Sequence, residues 1–270
     1  MDPVPAPSGK WSDLRTRILS AIVMVAVGAV EIWLGGSAFA ALVVALTGVM
    51  IWELATMTAP HRQRSPVMLA VAASVALVAA LVLRTDVAAL FLAGPSVALL
   101  MTPRRDRRLA AAYALAIMLA GYGLIDLRET GGTTVILWLV AVVVASDVLG
   151  YFAGRMLGGP KFWERVSPKK TWSGTVAGWI GAALVGLVMV MVMGAGASWL
   201  LVPLSALVAF AGQLGDIAES WVKRRAGVKD ASNLIPGHGG VLDRFDALIG
   251  AVVAVLALGL LAPVHGLFGG

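Results

Sequence analysis

Four ionisable residues set in apolar sequence are the first sign of chemistry: Asp216, Asp243, Arg244 and Asp246. A carboxylate or guanidinium at mid-bilayer costs about 3 kcal/mol on insertion scales, so four facing lipid would cost on the order of 10 kcal/mol. They must face protein, water, a metal ion or a substrate. Asp216, Ser220, Lys223 and Arg224 stand at i, i+4, i+7 and i+8, along one face of a helix, and Asp243 and Asp246 share a second face at i, i+3. The chain has no cysteine and no histidine cluster. Two carboxylate faces in that setting favour a hard, oxygen-seeking cation such as Mg²⁺. A buried ion-pair network that only locks helices together is the competing reading.

Between the two faces runs Lys229-Asp-Ala-Ser-Asn-Leu-Ile-Pro-Gly-His-Gly-Gly240. Its proline and glycines end a helix and permit positive φ, so backbone N–H groups can turn inward as an anion nest beside the next helix. That makes Lys229, His238, Gly239 and Gly240 candidates for phosphate binding; a plain interhelical turn is the alternative. Upstream, Ser167-Pro168-Lys169-Lys170 reads as an N-cap, a first-turn proline and two lysines. Cations at a helix N-terminus oppose the macrodipole, which suggests an anionic partner, or snorkelling to lipid phosphate.

The elements that must position these residues are apolar. Of 270 residues 59% are hydrophobic and 13% charged, against about a quarter charged in an ordinary soluble domain. Nine apolar stretches are legible, near 18–34, 37–57, 66–83, 87–102, 109–125, 133–152, 174–193, 199–217 and 241–264. Each approaches the roughly 20 residues that cross a hydrocarbon core as helix. The expected fold is an all-α polytopic membrane protein of about nine transmembrane helices. Eighteen of the 21 lysines and arginines precede the first stretch or follow the second, fourth, sixth and eighth, with Arg84 and Arg128 opposite and Arg244 inside a span. Cationic loops stay inside, so the N-terminus is expected in the cytoplasm and the C-terminus outside. The net charge of +6 sits in these loops, facing anionic headgroups, and calls for no nucleic acid.

Three regions are expected: a cytoplasmic tail over 1–17, an N-terminal transmembrane region over 18–105 and a C-terminal catalytic transmembrane region over 106–270. Residues 1–12 read as a disordered tail rather than the start of a cleaved signal. Glu31 and Glu53, the acids of the N-terminal spans, lie near span ends and read as reaching the interface. Small residues four apart, Gly150, Gly154 and Gly158, then Gly174 and Gly178, permit close helix packing.

The run from Ser220 to Asp246, SWVKRRAGVKDASNLIPGHGGVLDRFD, resembles the signature of the phosphatidate cytidylyltransferases, in which Ser, Lys-Arg, Lys-Asp, His-Gly-Gly and Asp-Arg-x-Asp recur at these spacings. The likeness extends through SPKKTWSG (167–174) and SDVLGYFAGRMLGG (146–159), roughly the C-terminal half of the chain. Ser173 and Ala247 depart from the family pattern, which carries Glu and Ser there.

The resemblance implies that CTP and phosphatidic acid give CDP-diacylglycerol and pyrophosphate, at a bacterial inner membrane with the site facing the cytoplasm. It implies Mg²⁺, with K⁺ as a companion ion. Asp216 and Asp243 are the expected leading metal ligands, with Asp246 as a third ligand or support. Lys169, Lys170, Lys223, Arg224, Lys229 and Arg244 are assigned to phosphates, Ser220 to a phosphate oxygen or bound water, His238 to phosphate contact or proton carriage, and Asp147 is added from the sixth stretch. A homodimer is left open. Two rivals stand beside this reading: a CTP-dependent kinase of a polyprenol or phytol-like alcohol, and a non-enzymatic transporter.

Overall fold

A computed structural model describes residues 10–59, 64–83, 87–262 and 264–268. Most of the proline-rich leader, together with Arg62, Arg84 and Gly270, lies outside the described residues. The fold is mostly helical. Helices α1 (Lys10–Leu34), α2 (Gly36–Thr58), α3 (Ser65–Leu83) and α4 (Ala88–Met101) precede a 51-residue α5 (Arg107–Leu157). A small hairpin of β1 (Lys161–Trp163) and β2 (Ser167–Thr171) leads into α6 (Trp172–Met193), α7 (Leu201–Ala226) and α8 (Leu242–Gly259). Six of the eight described α-helices are long and apolar enough to cross a membrane: α1, α2, α3, α5, α6 and α7. The fourth stretch yields only a 14-residue helix containing Pro95, short of a perpendicular crossing.

The fifth and sixth stretches both fall within α5, whose 51 residues run on with no loop between them. At Gly132, however, φ is 68° and ψ is −165°, a conformation open to glycine alone. A straight helix of this length would span about 75 Å at 1.5 Å per residue. Yet both ends lie beside the same end of α7. Arg105, just before α5, donates to the carbonyl of Ala226, while Gly154, near the far end, packs on Thr171 and Gly174 next to the Lys170 that pairs with Asp216. The chain therefore reverses at Gly132 into two arms, 107–131 and 133–157.

Two expectations are corrected. Helix α1 begins at Lys10, inside the stretch read as a tail. Ser167-Pro168-Lys169-Lys170 forms strand β2, not a first helical turn. Helix α6 starts at Trp172, four residues after the expected first helical position, and the Thr171 side chain caps it by accepting from the Gly174 amide. The proline costs nothing in a two-stranded ribbon, where one edge of each strand is unpaired, so the macrodipole argument for Lys169 and Lys170 falls away.

The core lies where α2, α5, α7 and α8 meet, around Leu54, Ile117, Trp138, Leu242 and Val252. Large apolar side chains such as Val71, Val82 and Val192 point outward, as a chain solvated by lipid requires. Several polar groups inside are tied across helices. Trp138 Nε1 donates to Ser205 Oγ at 2.8 Å, and Ser205 donates to the Leu201 carbonyl at 2.6 Å. Gln213 on α7 ties three helices together: its Nε2 donates to Ser146 Oγ and the Thr175 carbonyl, and its Oε1 accepts from Trp179 Nε1.

Candidate active site

Helices α7 and α8 pack so closely that a Cβ on Gly215 would lie 2.5 Å from the carbonyl oxygen of Asp246 and 3.0 Å from the Cα of Gly250. That contact brings the two acidic faces together. Carboxylate oxygens of Asp216, Glu219 and Asp246 lie within 4.8 Å of one another. Glu219 is fully buried, ion-paired with Lys223, and its Oε1 has no hydrogen-bond partner among the described residues. An orphaned buried carboxylate oxygen beside two further acids is costly unless a cation or proton meets it. All donors are hard oxygens, so the set suits Mg²⁺.

Lys223 is the hub between this cluster and the loop. It pairs with Glu219 one turn earlier and with Asp243 Oδ1 at 2.5 Å. The other oxygen of Asp243 accepts from the backbone amides of Ala231 at 2.9 Å and Gly240 at 2.8 Å. Asp243, expected among the leading ligands, is thus held by a lysine and two amides, and Glu219 completes the acidic triad. Helical spacing could have found it, since Glu219 stands at i+3 from Asp216 and i−4 from Lys223.

The amides expected to form a phosphate nest face the chain's own carboxylates. Besides Asp243, Glu53 of α2 takes the amides of Val241 at 2.9 Å and Leu242 at 2.6 Å, and the hydroxyl of Ser232 at 2.6 Å. Glu53 is completely buried, so its reading as an interfacial residue is overturned.

A cavity of about 700 Å³ opens beside the acids. Of the expected site residues it is lined by Asp216, Lys223, Asp243, Asp246, Arg244, Lys169 and Lys170, with Asp147 from α5. Tyr151 and Arg155 from α5, and Gln213, are lining residues that sequence reasoning missed. Lys170 Nζ pairs with Asp216 Oδ2 at 2.6 Å. Ser220, Arg224, Lys229, His238, Gly239 and Gly240 are not among the lining residues. Ser220 Oγ reaches Asp216 Oδ1 only at a long 3.4 Å. Arg224 and Lys229 are exposed. His238 Nδ1 is 2.8 Å from Ser20 Oγ of α1, a partner that fixes the ring from the far side of the loop.

The contacts gather the first half of α1, the end of α2, the start of α5, the hairpin, the end of α7 and the start of α8 at one end of the bundle. The described basic loops converge there, around an acidic cluster that can neutralise anions only through a cation. The cavity therefore offers lysine and arginine to phosphate beside Asp216 and Asp246, with Glu219 buried behind them, the arrangement that phosphoryl and nucleotidyl transfer demand.

Comparison with known proteins agrees. The chain is 37% identical over 257 residues to a phosphatidate cytidylyltransferase of Brucella abortus, covering 92% of this chain and 94% of that protein. Proteins of the same name from Staphylococcus saprophyticus and Helicobacter pylori are 41% and 37% identical over 143 and 137 residues, covering 52% and 51% of this chain and 55% and 51% of theirs. The model of the cytidylyltransferase family matches residues 15–262, nearly the whole chain, and the chain belongs to that family.

Proposed function

We propose that the chain transfers the cytidylyl group of CTP to phosphatidic acid, releasing pyrophosphate and leaving CDP-diacylglycerol in the membrane. The observation that carries this reading is the acidic triad of Asp216, Glu219 and Asp246 set against the cationic wall of Lys169, Lys170, Arg155 and Arg244. A phosphate oxygen of the lipid forms a bond to the α-phosphorus of CTP as the bond to the β-phosphate oxygen breaks, so one P–O bond replaces another and the electron pair leaves with pyrophosphate. Both reactants are anionic. The work of the protein is to bring them into line and screen their repulsion, not to form a covalent intermediate.

Lys169, Lys170, Arg155 and Arg244 bind and orient the phosphates. Lys223 fixes Glu219 and Asp243, keeping the two helices in register. Asp216, Glu219 and Asp246 would hold Mg²⁺, which when bound supplies positive charge to the phosphates. The attacking oxygen is already ionised, so no side chain need remove a proton. The convergence of cationic loops on the cavity end supports a cytoplasmic site in an inner membrane with the N-terminus inside; nine crossings, with α4, α8 and the two arms of α5 each counted, put the C-terminus outside.

CTP carrying radiolabel at the α- or the γ-phosphorus distinguishes the reactions. Purified protein with phosphatidic acid and Mg²⁺ should place α-label in the lipid extract and γ-label in pyrophosphate. Transfer of γ-label to an alcohol lipid would establish the kinase chemistry instead, and label in neither product would end the enzymatic reading. Replacing K⁺ by Na⁺ in the same assay tests the companion ion: a loss of rate is expected.

A further inference from the structure

The cavity, triad and hub all belong to the C-terminal half, yet the start of α8 is secured from the N-terminal half. None of α8's own flanking side chains caps its N-cap residue, Val241. The capping group comes from α2, where Glu53 accepts the amides of Val241 and Leu242 on its two separate oxygens. The Oε1 atom also accepts from Ser232 Oγ, within the loop that carries Ala231 and Gly240 to Asp243. Gly240 is needed for this approach, because a Cβ there would fall 2.5 Å from Glu53 Oε1 and 3.0 Å from the Ser232 amide.

We infer that Glu53 is a positioning residue for cytidylyl transfer: its buried carboxylate caps α8 from another helix and so fixes the loop 231–240 and the azimuth of Asp243 and Asp246. The physical reason lies in the charge. A helix N-terminus presents free amides and a partial positive charge, which a carboxylate meets and a neutral amide meets poorly. Glu53 is fully buried and does not line the cavity, so it touches no substrate and acts through α8 and the loop before it. The geometry leaves little slack. Asp246 belongs to the triad, and Asp243 grips Lys223, so a rotation of the first turn of α8 displaces both at once. A displacement near 1 Å at a reacting centre can cost about a hundredfold in rate.

The test pairs turnover with a readout that needs none. Glu53→Gln keeps the size and removes the charge; Glu53→Asp keeps the charge but falls one methylene short; Ser232→Ala removes one bond of three. Backbone hydrogen–deuterium exchange over residues 231–246 is followed in each purified full-length protein, with kcat and KM for CTP. Glu53→Gln should speed exchange at 241 and 242 at least tenfold and lower kcat at least tenfold, with KM for CTP within threefold. Glu53→Asp should recover part of both, and Ser232→Ala should shift both in the same direction by a smaller factor. Should Glu53→Gln fail to fold, the Asp and Ser232 variants carry the same ordering. Unchanged exchange at 241 and 242 in the variants would overturn the inference. So would a lowered melting temperature with kcat intact, which marks a packing residue only.

Discussion

Gly215→Ala puts one methyl group between two acids and leaves their chemistry untouched. The new Cβ would sit 2.5 Å from the Asp246 carbonyl oxygen, 2.9 Å from the Gly250 amide nitrogen and 3.0 Å from its Cα, where ordinary contact begins near 3.4 Å. All three neighbours are backbone, so no side chain can swing away. The helices must part by about 0.9 Å, the difference between 3.4 and 2.5 Å. Overpacking of this kind costs about 1–3 kcal/mol, while alanine in place of glycine returns up to about 1 kcal/mol of helix propensity. The net loss of stability is thus small, about 0–2 kcal/mol. The effect on rate is larger, because the wedge separates Asp216 on α7 from Asp246 on α8 within a triad otherwise confined to 4.8 Å. A tenfold to hundredfold fall in kcat is expected from a misplacement near 1 Å. Gly212→Ala provides the internal comparison, since its Cβ would meet the Ala247 carbonyl at 3.1 Å, an excess of about 0.3 Å. It should keep most of the activity. The assay is CTP-dependent turnover of phosphatidic acid in detergent micelles, beside thermal unfolding of both proteins. Gly215→Ala with half or more of the normal kcat would refute the idea that α7–α8 contact sets the acid spacing.

Three further outcomes are expected. Glu219→Gln should raise the Mg²⁺ concentration for half-maximal rate at least fivefold, because it removes a buried charge from the triad; an unchanged Mg²⁺ titration would remove Glu219 from the site. Asp243→Asn should lower activity at least tenfold in a folded, membrane-inserted protein and cost about 1–3 kcal/mol in chemical denaturation, since it deletes the ionic partner of Lys223 and weakens the grip on Ala231 and Gly240. Single cysteines at positions 107, 232 and 270, introduced into a chain without any, should react with an impermeant thiol reagent on intact cells only at 270; labelling at 232 from outside would reverse the orientation.

Periodicity made one half of the site legible. Asp216 and Lys223 lie on the cavity side of α7 as their spacing requires, and Asp246 faces them from α8. Two things were hidden, for different physical reasons. The Ser-Pro-Lys-Lys segment satisfies the rules for a helix start, yet pairing with Lys161–Trp163 draws it into a strand, a non-local preference that no local rule contains. The reversal inside α5 was legible by contrast, because Gly132 falls in the gap between the apolar stretches 109–125 and 133–152. Glu53 was hidden most completely, because its partners lie 179 to 189 residues further along the chain.

That last case changes how the glycine-rich loop works. A chain of free amides after a helix looks like a ready phosphate cradle, and from sequence alone the ligand had to come from outside. Instead, the amides of Ala231, Gly240, Val241 and Leu242 are all taken by Asp243 and Glu53. The loop's backbone is therefore spent on holding two carboxylates rigid rather than on substrate. Binding of the triphosphate and the lipid phosphate then falls to side-chain cations around the cavity, of which Lys170 is already drawn towards Asp216. An arriving phosphate competes with a carboxylate for that lysine, and a cation arriving at the triad competes with the lysine for the carboxylate. Each of the two ligands weakens the contact that opposes the other, so binding of the nucleotide and of Mg²⁺ should be mutually favourable, as linkage through a shared ion pair requires.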